Sequence, residues 1–265
     1  MIVCAGVAGQ PIAHSLSPLI HRAWIAAAGL DADYIACGPA DAAEFAALVD
    51  QGRAGRLRGL NITAPFKEQA LALADEAGET ARTCGSANLL LFEGGRVRAD
   101  STDGEGLIAA LGEQAPTLDV RGRPVVVLGA GGAARAAVVA LKDAGAEVGV
   151  LNRTRARAEH LAADLGAMVV EAGALDHGIL IVNALSVPPD IDVSRLGGDA
   201  VLMDMTYRPL KTAFLAAGQA RGLTTVDGLA MLIGQARPSF RVLFGQDPPD
   251  IDVRTLALAA LGETP

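Results

Sequence analysis

Val125-Val126-Val127-Leu128-Gly129-Ala130-Gly131-Gly132-Ala133-Ala134 is the stretch on which the reading of this 265-residue chain turns. Its uninterrupted apolar run, mostly β-branched, predicts a buried strand. The glycines predict a tight turn, and the Ala-rich continuation predicts a helix to Ala144. Downstream the alternation goes on: Glu147 to Leu151 reads as a strand, Ala156 to Leu165 as a helix, and Ile179 to Asn183 and Ala200 to Met205 as further strands. This is the βαβ pattern of a doubly wound nucleotide-binding domain. Where such a strand stops and a helix opens, a pyrophosphate meets unpaired backbone N–H groups and the positive helix end. Gly129 and Gly131 permit the turn and the close approach, and Ala134 takes the third glycine's place in G-x-G-x-x-G, as the fingerprint allows. A ligand-free βα turn would use the same residues, but it does not account for the whole βαβ context around them.

The second strand of this unit ends in Leu151-Asn152-Arg153-Thr154-Arg155-Ala156-Arg157. An NAD site places an acidic side chain there for the ribose 2′-hydroxyl, and that carboxylate would repel a 2′-phosphate. Guanidinium and hydroxyl donors stand here instead. Arginine's planar fork suits phosphate oxygens, so NADP is the expected cofactor. The competing reading is a solvated basic start to the next helix.

Upstream, Ile2 to Val7, Tyr34 to Cys37 and Leu60 to Thr63 read as strands, and Pro18 to Ala28, Asp41 to Val49 and Phe66 to Ala74 as helices. Helices between strands imply right-handed crossovers and a mainly parallel sheet. Asn88 to Phe92 and Arg96 to Ala99 flank Glu93-Gly94-Gly95, a hairpin signal that adds an antiparallel pair. A helix, Gly104 to Leu111, and a turn-rich stretch, Gly112 to Pro124, lead into the second domain. The tail, Ala230 to Phe244 and Arg254 to Leu261, reads as two helices with no strand between, so it is expected to pack back on another domain. The expected fold is α/β with two domains, residues 1–101 and residues 102–235, with the tail of 236–265 packed back on one of them.

The chain carries 22 Lys+Arg against 30 Asp+Glu, a formal net charge of −8, with 51% apolar and 3% aromatic residues. Nucleic-acid binding draws on clustered cations and aromatic faces, so nucleic acid is not an expected partner. No run of eighteen apolar residues predicts a membrane span, and Met1-Ile2-Val3-Cys4-Ala5-Gly6 lacks the basic and apolar regions of a signal peptide, so the expected location is cytoplasmic. Cys4, Cys37 and Cys84 are odd in number and never spaced C-x-x-C; they read as buried, reduced thiols. His14 and His21 have no partner at ligand spacing, so they read as structural histidines with satisfied hydrogen bonds, and no metal is expected.

Gly9-Gln10-Pro11-Ile12-Ala13-His14-Ser15-Leu16-Ser17-Pro18 ends where a helix begins. Ser17 reads as the N-cap with Pro18 at the first helical position. Ser15 then stands beside a helix N-terminus that attracts a carboxylate, and spacing alone does not separate cap from anion site. Lys67 follows Asn61-Ile62-Thr63-Ala64-Pro65-Phe66 at a strand-to-helix junction, where a lysine is ordinarily a snorkelling surface residue. In Ser101-Thr102-Asp103-Gly104-Glu105, a capping box accounts for Thr102 and Glu105 and leaves Asp103 unexplained. A lysine and an aspartate at two such junctions can form an acid/base pair in which the carboxylate orients the ammonium; spacing does not show that they meet.

Taken together, five stretches resemble, in order, the motifs of the shikimate dehydrogenase family: Gly9 to Pro18 above, Gly59-Leu60-Asn61-Ile62-Thr63-Ala64-Pro65-Phe66-Lys67, Gly85-Ser86-Ala87-Asn88, Thr102-Asp103-Gly104 and Gly129-Ala130-Gly131-Gly132-Ala133. Two more agree in the tail, Asp204 to Thr212 and Gly228 to Gln235, so the resemblance runs from Gly6 to about Phe240. It implies NADPH-dependent reduction of 3-dehydroshikimate to shikimate, a step of aromatic amino-acid precursor synthesis, by a monomer or homodimer. The implied architecture is a substrate domain and a Rossmann-like NADP domain with the active site in the cleft between them. By matching motifs, Lys67 is the general acid/base with Asp103 beside it. Ser15, Ser17 and Tyr207 hold the substrate carboxylate, and Thr63, Asn88, Asp103 and Gln235 its hydroxyls. The same carry-over puts the pyrophosphate on Gly129, Ala130, Gly131, Gly132 and Ala133 and the 2′-phosphate on Asn152, Arg153, Thr154 and Arg157. Met205 and Gly228 fall beside the nicotinamide, and Glu79 on the cofactor side.

The sequence departs from the family pattern at Leu185-Ser186-Val187-Pro188-Pro189, where Thr-Ser-x-Gly-Met is usual, at Ser101, where Asn usually precedes Thr-Asp, and at Arg22, where Asn commonly follows His. The first bears on the loop flanking the nicotinamide, the others on finer substrate specificity. Two alternatives stand beside the main reading. A catabolic, NAD-using quinate/shikimate dehydrogenase is opposed by Arg153 with no neighbouring acid. A non-catalytic member would be expected to have lost Lys67 or Asp103, and both are present.

Overall fold

In the computed structural model, which describes residues 3–263, the chain forms two units: the residues up to Thr102 together with those from Ala236 onward, and Asp103–Gln235 between them. In the first, β1 (Val3–Ala8), α1 (Ser17–Ala27), β2 (Ala32–Cys37), α2 (Ala42–Arg53) and β3 (Gly59–Ile62) alternate, and β1 pairs in parallel with both β2 and β3. Then α3 (Lys67–Ala72), β4 (Glu76–Ala77) and α4 (Glu79–Cys84) lead to the hairpin of β5 (Leu89–Glu93) and β6 (Arg96–Asp100), closed by Gly94-Gly95. The sheet order is β2-β1-β3-β5-β6-β4. Because β5 is antiparallel to β3 and to β6, the carboxyl ends of β1, β3 and β6 and the amino end of β5 lie at one end of the sheet.

Phe45, Leu60, Phe66, Leu90 and Val97 form one side of this unit's core. Elsewhere in it an aromatic cluster forms: the His21 ring stacks on Tyr34 at 4.1 Å and meets Trp24 edge-on, and Trp24 meets Phe240 edge-on. Each large side chain buried in this way contributes about 1.5–3 kcal/mol. The strand expected from Ile2 is seen from Val3, Ile2 lying outside the described residues. The second helix outruns its expected end at Val49 and reaches Arg53, anchored at its start by the Asp41 carboxylate, which accepts the Ala43 and Glu44 N–H groups at 2.8 and 2.9 Å.

The second unit begins with α5 (Asp103–Gln114) and continues with β7 (Pro124–Leu128), α6 (Gly132–Asp143), β8 (Glu147–Leu151), α7 (Arg155–Leu165), β9 (Met168–Val169), β10 (Leu180–Asn183), β11 (Val201–Asp204), α8 (Ala213–Ala220) and β12 (Thr224–Val226). All six strands are parallel, in the order β12-β11-β10-β7-β8-β9. This is the doubly wound order, and its switch point falls between β7 and β10. The Val125–Leu128 run is apolar throughout because β7 is buried on both faces: Val125 and Val127 join Leu141 and Leu161, while Val126 and Leu128 join Leu202 and Phe214.

α9 (Gly228–Phe244) crosses the unit boundary, which falls between Gln235 and Ala236, and α10 (Val253–Leu261) packs with α1 in the first unit. No helix among the described residues is long and apolar enough to cross a membrane.

Candidate active site

Backbone pairing gathers the first unit's candidates. The Thr63 N–H donates to the Ala8 carbonyl (2.9 Å), that of Ile62 to Asn88 (2.7 Å), that of Asn88 to Asp100 (3.1 Å) and that of Ala87 to Lys67 (2.9 Å). Thr63, Lys67 and Asn88 are thereby held at one end of the sheet. Lys67, half-buried, opens α3, and Ser15 and Ser17 lie where the chain leaving β1 enters α1. The Asn88 side chain has one orientation: its Oδ1 accepts the Thr102 N–H at 2.8 Å and its Nδ2 donates to Thr102 Oγ1 at 3.0 Å.

The cap of α1 differs from expectation. Leu16 occupies the cap position with helical backbone angles (φ −84°, ψ −8°), so Ser17 is already the first helical residue. Its N–H donates to Ser15 Oγ at 3.3 Å, so the serine that serves the helix start is Ser15. That bond occupies a lone pair of Ser15 and leaves its O–H to be offered to an anion. Glu79 is exposed in the first turn of α4, in the first unit, apart in the chain from the other cofactor candidates. Ser101, one of the departures from the family pattern, buries a hydroxyl for which no hydrogen-bond partner exists among the described residues.

In the second unit the candidates gather at the carboxyl ends of the parallel strands. Gly129 follows β7 with φ +119°, a backbone that favours glycine, and a Cβ there would lie 3.3 Å from the Ala184 carbonyl oxygen beyond β10. The turn thus sits at the switch point. Gly131 caps α6 with no side-chain hydrogen bond, and a Cβ on it would meet open space. An uncapped helix start facing open space fits a pyrophosphate. At the end of β8, Asn152 donates to the Thr154 carbonyl at 2.9 Å, and Arg153, Thr154 and Arg157 are exposed. Arg155 is held by Glu159 and Glu171, whose carboxylates push its pKa up. Asn152, Arg153, Thr154 and Arg157 are the candidates for a 2′-phosphate at this strand end.

The residues from Met205 to Tyr207 are fixed by hydrogen bonds that the sequence did not show. Buried Asp204 accepts from Asn183 Nδ2 (3.1 Å), the Thr206 N–H (3.0 Å) and the Thr212 hydroxyl (2.8 Å). A Cβ on Gly228 would lie 2.5 Å from the Met205 carbonyl oxygen, so glycine is what lets the start of α9 close on this segment. The motif Asp204 to Thr212 was visible in the sequence, but the side chains that join its two ends were not. Asp103 is buried at the start of α5, and Gln235, also buried, donates its amide to the Leu232 carbonyl at 2.9 Å. Both fall in the second unit, as does Tyr207.

Two other expectations are corrected. His21 is fully buried, yet neither ring nitrogen has a hydrogen-bond partner among the described residues; the ring is held by stacking, and burial lowers its pKa from the usual 6.5 to about 3. Of the three thiols only Cys84 is buried. Cys4, on β1, and Cys37, on the edge strand β2, are half-buried, and desolvation nevertheless raises both their pKa values. Among the described residues no cluster of metal-ligating side chains forms.

Family models match two segments: a shikimate dehydrogenase substrate binding domain over residues 7–90, and shikimate / quinate 5-dehydrogenase over residues 111–187. A shikimate dehydrogenase (NADP(+)) of Caulobacter vibrioides is 53% identical over 276 residues, covering 98% of this chain and 96% of its own. The crystal structure of shikimate 5-dehydrogenase from Thermus thermophilus, in complex with NADP(H) and shikimate, superposes with a TM-score of 0.90 at 34% identity, covering 98% of this chain and 100% of that one. Quinate dehydrogenase from Corynebacterium glutamicum, in complex with NAD, superposes with a TM-score of 0.88 at 28% identity, covering 97% and 96%.

Proposed function

The chain belongs to the shikimate dehydrogenase family, and from that premise we propose that it catalyses the reversible NADPH-dependent reduction of 3-dehydroshikimate to shikimate in aromatic amino-acid biosynthesis. The observation that carries the reading is that backbone pairing brings Lys67, Thr63 and Asn88, one proton-carrying residue and two neutral hydrogen-bonding ones, to one end of the sheet. A small acid bearing several hydroxyls needs many fixed partners, and one of them must move a proton. The first unit is the substrate-binding domain and Asp103–Gln235 the cofactor domain.

Bound at the Gly129 turn, NADPH supplies the hydride. Lys67 delivers a proton to the C3 oxygen as negative charge develops there, and the Asp103 carboxylate keeps that ammonium charged and aimed. Ser15, Ser17 and Tyr207 take the substrate carboxylate, and Thr63, Asn88, Asp103 and Gln235 its hydroxyls. Backbone N–H groups from Gly129 to Ala133 receive the pyrophosphate, and Asn152, Arg153, Thr154 and Arg157 the 2′-phosphate. Met205 and Gly228 flank the nicotinamide, and Glu79 lies on the cofactor side. The enzyme works in the cytoplasm on small molecules; a net charge of −8 and the absence of any basic run in the sequence support no role for nucleic acid.

Initial rates with shikimate, measured in parallel with NADP and NAD, test this. NADP-dependent oxidation supports the proposal. A preference for NAD would favour the quinate/shikimate reading that Arg153 argues against, and inactivity of folded protein with both cofactors would sink both enzymatic readings.

A further inference from the structure

A chain of side-chain hydrogen bonds runs through the first unit behind Asn88. The Tyr34 hydroxyl donates to Asn61 Oδ1 at 2.8 Å, and Asn61 Nδ2 donates to Ser239 Oγ at 2.8 Å. Ser239 Oγ meets Thr102 Oγ1 at 3.2 Å, and Thr102 holds both ends of the Asn88 amide. Tyr34, Asn61, Asn88, Thr102 and Ser239 are all buried, with Tyr34 and Ser239 at 0% exposure. They come from β2, β3, the amino end of β5, the carboxyl end of β6, and α9. The direction of the chain is set at its far end: with Tyr34 donating to Oδ1, the Asn61 amide must turn Nδ2 toward Ser239.

We infer that Ser239 is a positioning residue for substrate recognition. It ties α9 to Thr102, and Thr102 sets which end of the Asn88 carboxamide faces which way. Asn88 can then meet a substrate hydroxyl without first choosing between two orientations, a preorganisation that strengthens binding. This rests on Asn88 being a substrate ligand, as proposed above. Nothing in the sequence marks Ser239, because its partner Asn61 lies 178 positions away.

The experiment has two arms. In the ligand-free protein, hydrogen exchange of the Asn88 side-chain amide reads the lock itself: Ser239→Ala should speed it, and Ser239→Thr, which keeps the hydroxyl, should slow it again. In turnover, Ser239→Ala should raise KM for shikimate about five-fold, the effect of one lost hydrogen bond, with kcat within about two-fold and NADP affinity unchanged. Tyr34→Phe, at the other end of the chain, should move KM the same way. Unchanged exchange in folded Ser239→Ala overturns the inference. So does a KM that stays put or rises together with a loss of NADP affinity. Faster exchange in Ser239→Ala, alongside a wild type that turns over no shikimate, would keep the lock and remove the substrate assignment instead.

Discussion

Lys67 stands at the first turn of α3, half-buried, with its carbonyl accepting the Ala87 N–H, so its backbone is fixed to the strand that carries Asn88. A proton donor so held acts mainly in the transition state. Lys67→Ala should therefore lower kcat by about 10²–10⁴-fold and leave the dissociation constant for shikimate largely unchanged, as rapid-mixing and equilibrium titration would read. Ser101 offers the opposite case. Its buried hydroxyl has no partner among the described residues, and such a group costs stability that its removal returns. Ser101→Ala should match or exceed the wild type in stability by up to about 1 kcal/mol in urea unfolding, where an ordinary buried serine would lose stability. Residues such as Lys67 were legible in the sequence because their motifs are local. Ser239 and Asn61 were not, since a hydrogen bond between distant positions leaves no periodicity behind.

At the scale of elements, the strands and helices with a full period of apolar residues read correctly from sequence, and β8 matches its expected ends, Glu147 and Leu151. The two-residue strands β4 and β9 are too short to show alternation and owe their place to pairing with β6 and β8. The packing of α1 against β2 and α9 makes a pH prediction. His21, stacked on Tyr34, stays neutral in the folded protein until about pH 3, while in the unfolded chain it takes a proton near its usual 6.5. The unfolded state thus binds more protons between those values, so the stability present at neutral pH is lost as pH falls through that window, by up to about 1.4 kcal/mol per pH unit. Replacing the ring by one that cannot titrate, His21→Phe, should flatten this part of the stability profile, measured by urea unfolding from pH 7 to pH 4. A profile as steep as the wild type's would assign the acid sensitivity to other groups.

For the whole molecule, the sequence pattern already separated a parallel-sheet unit with a glycine turn from one carrying a hairpin, because each has its own alternation of strand and helix. The unit boundary inside α9, expected at 235/236 from the way the tail packs back, is different in kind, since no change of composition or periodicity accompanies the step from Gln235 to Ala236. It has a consequence for how the protein is made. Asp103–Gln235 is one continuous length of chain, whereas the unit made first on the ribosome waits for Ser239, Phe240 and α10, which are made last. In nascent chains arrested after Gln235 has emerged, Asp103–Gln235 should resist protease while the residues up to Thr102 are digested, and resistance there should arrive only once α10 is out. On that outcome the order of birth and the order of maturation are reversed: the segment translated earlier matures only when α10 has joined it.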